Sequence, residues 1–163
     1  MKKMIVLAAM LVTAMGAQAE YEQVNMTVFG MDCAPCAHAI HVSMKAIPGV
    51  EKVDVDLNTG LVTIALNQGN AATMHQFNEA VEKNGFTHKD AKVVAKGKLT
   101  GTAAAPVFEV SGTGDRYQLV AAGATADVSS LLGKTVMVTG TLPQAAKGKT
   151  PERLSYVSIK EAQ

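Results

Sequence analysis

Between Val24 and Val94 the spacing of apolar residues alternates between two and three-to-four, and this alternation constrains the fold more than any other feature. Val24, Met26 and Val28 share one face of a strand. Cys36 to Ile47 reads as a helix with Ile40, Met44 and Ile47 on one side, stopped by Pro48-Gly49. Val53, Val55 and Leu57 alternate, Asn58-Thr59-Gly60 turns the chain, and Val62, Ile64 and Leu66 alternate again, which predicts a hairpin. Asn70 is placed to cap a second helix with Met74, Phe77 and Val81 on one face, ending at Asn84-Gly85. A last strand runs through Ala91 to Val94. The order β-α-β-β-α-β is that of a ferredoxin-like α+β domain, assigned to residues 20–95.

The remaining chain is rich in Gly, Thr and Val. It predicts short strands at Lys98–Thr102, Val107–Val110, Tyr117–Val120, Thr135–Gly140 and Leu154–Ile159, with a helical turn within Asp127–Leu132. Five strands with one helical insert fit a small all-β, OB-like barrel over residues 96–163, with Ala95-Lys96-Gly97 as the boundary. A chain of 163 residues has room for two such units.

Residues 1–19 have the character of an address. Lys2 and Lys3 precede an apolar run from Met4 to Met15, and Ala17-Gln18-Ala19 offers small residues at a cleavage position. The run is too short to span a bilayer. The expectation is a signal peptide cleaved near Ala19, an exported periplasmic product, and no membrane insertion after cleavage. Without Lys2 and Lys3 the chain keeps 13 basic residues against 14 acidic ones. That balance provides no basic field for nucleic acid. Two cysteines are too few for a disulfide scaffold or a four-thiolate zinc site, so they are expected to act as a pair.

That pair lies in Gly30-Met31-Asp32-Cys33-Ala34-Pro35-Cys36, where the first strand gives way to the first helix. Two thiols three residues apart at such a junction can face one ion, and the helix N-terminus stabilises thiolate there. Pro35 suits a first helical position. Thiolates favour Cu(I), Zn(II) and heavier congeners over Mg(II) or Ca(II).

This loop, together with Ile40, Met44, Pro48-Gly49-Val50 and Gly85-Phe86, resembles the heavy-metal-associated domain, the family of copper chaperones, periplasmic mercury-binding proteins and the N-terminal domains of metal-pumping ATPases. The resemblance covers about residues 22–95. It implies Cys33 and Cys36 as ligands of one thiophilic ion, Zn(II), Cu(I) or Hg(II), with Met31 tucked beneath the loop and Phe86 beside it. It also implies a membrane metal transporter or another metal carrier as partner.

Asp32 stands where copper-handling members usually carry Thr. A carboxylate beside two thiolates suits a divalent ion that takes a third or fourth ligand, and Asp32 is a candidate ligand on that ground. It serves equally as a loop or cap residue. His88, just past Gly85-Phe86, is a candidate auxiliary ligand. His75 is a candidate ligand by residue type alone, while His38 and His41 read as surface residues and Met26, Met44 and Met74 as core.

Three functions are compatible with these features. The first is an exported, soluble, non-enzymatic carrier or buffer of one metal ion. The second is a thiol–disulfide oxidoreductase using the Cys33–Cys36 pair, against which stand the residue before Cys33 and the strand–helix order. The third is a metal-sensing interaction module that acts through the C-terminal half. A closed Cys33–Cys36 disulfide is a further state that an oxidising compartment allows. Gly133-Lys134-Thr135 lacks the spacing of a phosphate loop. No Ser/His/Asp set or carboxylate pair converges on one site in the sequence pattern.

Overall fold

A computed structural model describes residues 20–110, 112–123 and 127–163, so the N-terminal segment read as a signal lies outside the described residues. Its elements are β1 (Glu20–Phe29), α1 (Ala34–Lys45), β2 (Val50–Asp56), β3 (Leu61–Leu66), α2 (Met74–Lys83), β4 (Thr87–Gly101), β5 (Pro106–Val110), β6 (Asp115–Ala121), a 3-10 turn (Val128–Leu131), β7 (Thr135–Leu142) and β8 (Arg153–Glu161). None of the described helices is long and apolar enough to cross a membrane.

The alternating residues of β1 and β3 bury against the two helices. Val24, Met26 and Ile64 are fully buried with Ile40, Met44, Phe77 and Val81. Each such side chain contributes roughly 1.5–3 kcal/mol on leaving water. Helix α2 starts later than the sequence implies. Its N-cap is Thr73, whose hydroxyl accepts from Gln76 N while the Gln76 side chain reaches back to the Thr73 amide. Asn70 is instead a buried turn residue that donates to the carbonyls of Tyr21 and Asn67, both at 2.8 Å.

The largest departure concerns β4. The strands expected at Ala91–Val94 and Lys98–Thr102 are one strand of 15 residues, with the expected boundary at residues 95–97 in its middle. Ala91, Val93, Ala95, Gly97 and Leu99 alternate inward without interruption. Gly97 reads as a break because glycine weakens strands. Here it serves close approach, since a Cβ would lie 2.4 Å from the Glu109 carbonyl oxygen and 2.7 Å from the Phe108 ring.

One edge of β4 pairs with β1 from Thr87 to Lys96 and then with β5 from Lys98 to Gly101. Its other edge pairs with β7, from Ala91 opposite Leu142 to Lys98 opposite Thr135. Strands β5 and β6 are antiparallel, β6 and β8 parallel, and β8 and β7 antiparallel, so β4-β5-β6-β8-β7 closes a ring of hydrogen-bonded strands. The second half thereby covers a sheet edge that would otherwise be open to other chains, and β2 is left at the end of the strand order. Inside the ring Leu99, Phe108, Val136, Val138 and Leu154 are fully buried.

Candidate metal centre

Strand β1 delivers the chain to the site and α1 takes it away. Gly30 has φ +89°, a left-handed conformation that lets the loop turn out of the sheet. The next side chain, Met31, is buried at 4% exposure and anchors the loop from below. Phe86 approaches from the opposite loop: its ring lies 3.6 Å from where a Cβ on Gly30 would sit.

Cys33 is the N-cap of α1, with extended backbone, and its Sγ accepts from Cys36 N at 3.2 Å. The helix begins at Ala34, so Pro35 occupies the second helical position rather than the first. The two cysteines are joined by a disulfide, with Cα atoms 5.0 Å apart. The pair is thus in its oxidised state, one of the states the sequence allows.

One ligand atom each from Asp32, Cys33 and Cys36 lie within 4.8 Å of one another. Asp32 is exposed and Cys36 half-buried. Once the disulfide is opened, two soft thiolates and one hard oxygen make up the mixed donor set that a thiophilic divalent ion accepts, and the two thiolates alone suit Cu(I).

His88 is not in this group. It pairs with Val28 across the β1–β4 ladder and is 3% exposed, with Nε2 donating to Glu82 Oε1 at 3.1 Å. A carboxylate only accepts, so Nε2 carries the proton. Sequence reasoning missed Glu82, which also accepts from Gly148 N at 3.1 Å. Asn78, one turn earlier on α2, donates to the Lys149 carbonyl at 3.3 Å, and Asp90 accepts from Gln144 N at 2.8 Å. Side chains of the first half therefore grip the backbone of the β7–β8 connection at three points. A cleft of about 300 Å³ between them is lined by Glu82, Phe86, His88, Gln144 and Lys147. No sequence signal marks these contacts, because they use backbone atoms on the loop side. His38, His41 and His75 are exposed.

A strand–loop–helix unit that presents two sulfurs and a carboxylate at a helix start defines a small metal-binding α+β domain. Residues 25–87 match the heavy-metal-associated domain, and the chain belongs to that family. It is 34% identical over 65 residues to the copper chaperone CopZ of Staphylococcus saprophyticus, a match covering 40% of this chain and 94% of that protein. Among solved structures it is similar to a CopZ metallochaperone, at 30% identity and TM-score 0.37, covering 39% of this chain and 94% of the other. It is likewise similar to the yeast copper transporter domain Ccc2a, at 30% identity and TM-score 0.38, over 41% and 90% of the two chains. Oxidized MerP from Ralstonia metallidurans matches at 22% identity and TM-score 0.38, over 42% and 93%.

Proposed function

We propose that this chain is an exported carrier or buffer of one thiophilic metal ion, held by Cys33 and Cys36 with Asp32 as third ligand when the ion is divalent. The observation that carries this reading is the convergence of those three ligand atoms within 4.8 Å on a loop at the start of a helix. The similarity to a copper chaperone supports metal transfer as the task. Export rests on the composition of residues 1–19.

Loading requires the disulfide to be opened. An external dithiol supplies two electrons and two protons, becomes a disulfide itself, and leaves Cys33 and Cys36 as thiols. The ion then displaces those protons. Transfer proceeds by ligand exchange, in which a thiolate or imidazole of a partner takes an open coordination position while one cysteine leaves. A membrane metal transporter or a second carrier is a partner of the required chemistry.

The second half is read as OB-like. The ring order β4-β5-β6-β8-β7, with the 3-10 turn between β6 and β7, supports that reading. Its contacts with Asn78 and Glu82 support a role in bracing α2. Titration of the reduced protein with buffered metal tests the proposal. One ion should bind per chain, and Cys33→Ser and Cys36→Ser should each abolish tight binding. Unchanged affinity in either variant would sink the two-thiolate site. A reduced protein that binds no metal yet reduces a disulfide substrate to two thiols, closing its own Cys33–Cys36 bond in the process, would favour the oxidoreductase reading instead.

A further inference from the structure

We infer that Pro35 is a specificity-determining residue of the metal loop, biasing the cargo from monovalent toward divalent thiophilic ions. The inference rests on the reading that Cys33 and Cys36 bind the ion, and it extends that reading to Pro35, a residue with no metal-ligating side-chain atom.

An N-cap side chain accepts hydrogen bonds from the amides of the second and third helical residues. For Cys33 the third is Cys36, whose N–H donates to Cys33 Sγ at 3.2 Å. The second is Pro35, which has no N–H. The helix start therefore turns one amide on this sulfur where any other residue at position 35 would allow two.

The consequence depends on charge. After reduction, the Cys33 and Cys36 thiolates and the Asp32 carboxylate place three negative charges on one five-residue stretch of the loop. A monovalent ion leaves a net charge of −2 at the site, and a divalent ion leaves −1. Amide donors to the sulfurs offset what remains, and such charge-assisted bonds are about twice as strong as neutral ones. Withholding one donor thus penalises the monovalent complex more than the divalent one. Hydrogen bonding to a ligand also draws charge from it, so a sulfur with fewer donors is the stronger base toward the ion of higher charge.

The test is Pro35→Ala in reduced, anaerobic protein, with Cu(I) and Zn(II) affinities measured separately in buffered competition. The ratio of Zn(II) to Cu(I) affinity should fall by roughly 3- to 10-fold, in line with one partly offset hydrogen bond to a charged group. In proton–nitrogen correlation spectra, the amide gained at position 35 in the Cu(I)-loaded variant should lie downfield and exchange slowly, as a donor to sulfur does. A mere change in helix stability would move both affinities together, which would overturn the proposal. An unchanged ratio, or one shifted toward Zn(II), would overturn it while leaving the two-thiolate site intact. Native protein that binds neither ion would instead remove the reading on which it rests.

Discussion

The Tyr21 hydroxyl on β1 donates to Asp115 Oδ2 on β6 at 2.7 Å, joining residues 94 positions apart in the chain. The same oxygen accepts from Met74 N at the start of α2, at 2.8 Å. Tyr117 Oη lies 2.6 Å from Tyr21 Oη and 3.3 Å from Asp115 Oδ2. One carboxylate of the second half thus satisfies a buried phenol and a helix N-terminal amide of the first. The expected outcome for Asp115→Ala is a loss of about 2–3 kcal/mol, since it removes a charged acceptor and leaves buried donors without it. Urea unfolding monitored by tyrosine fluorescence would measure this, and a change below about 0.5 kcal/mol, the range of an ordinary surface substitution, would contradict it.

The same cluster sets a pH dependence. Burial, aided by the neighbouring phenol and the Asp115 carboxylate, pushes the Tyr21 hydroxyl well above its ordinary range. Tyr117 is pushed up as well, first by burial and then by Asp115. The folded chain therefore holds these protons where the unfolded chain releases them. Stability from this source is fully present below about pH 10 and declines as pH rises beyond it. Unfolding free energy should be flat from about pH 8 to 9.5 and fall above about 10, with a shallower fall in Tyr21→Phe. Equal slopes in the two proteins would show that the cluster does not titrate as described.

Gly97 is where β4 passes from one neighbour to another, and it has no room for a methyl group. Gly97→Ala should cost about 1–3 kcal/mol through overpacking against the Phe108 ring and the Glu109 carbonyl. The cost is one of packing and not of backbone conformation, since Gly97 is not among the glycines with positive φ. A thermal melt in which Gly97→Ala matched native protein would contradict the packing argument.

Glu82 holds His88 and the Gly148 amide together. In Glu82→Ala the Gly148 amide should exchange with solvent roughly tenfold faster or more, as expected when a bond to a charged acceptor is lost, while amides in the centre of β1 should not change. Hydrogen exchange read by mass spectrometry would test this. Unaltered exchange at Gly148 would mean that the β7–β8 connection is held by other contacts.

Asp32→Thr should lower Zn(II) affinity more than Cu(I) affinity, because a divalent ion uses the carboxylate and a two-thiolate Cu(I) site does not. Equal losses for both ions would reduce Asp32 to a loop residue.

The first half was legible because each of its elements carries a local signal. The period-two faces of Val24, Met26, Val28 and of Val62, Ile64, Leu66 are the buried faces, and Met26, Met44 and Met74 are in the core. Later elements were placed to within a few residues for the same reason. What escaped was non-local. The ladder from β4 to β7 joins segments distant in the chain and leaves no trace in periodicity, so a glycine inside a strand read as its end. The start of α2 was misplaced because Asn70 and Thr73 are both good caps, and only the reciprocal bond with Gln76 decides between them. Cys33, Cys36 and Asp32 stand out by type and spacing, and the structure brings one ligand atom of each within 4.8 Å of the others. The burial of His88 against Glu82 was not legible, because it depends on the β1–β4 register.

The most direct measurement is native mass spectrometry of the reduced protein under anaerobic conditions, with Cu(I) and Zn(II) offered from buffers. The account predicts one ion per chain from either buffer, lost in both Cys33→Ser and Cys36→Ser, with Zn(II) retention weakened in Asp32→Thr. Native protein that takes up neither ion, or cysteine variants that bind as well as native protein, would contradict it.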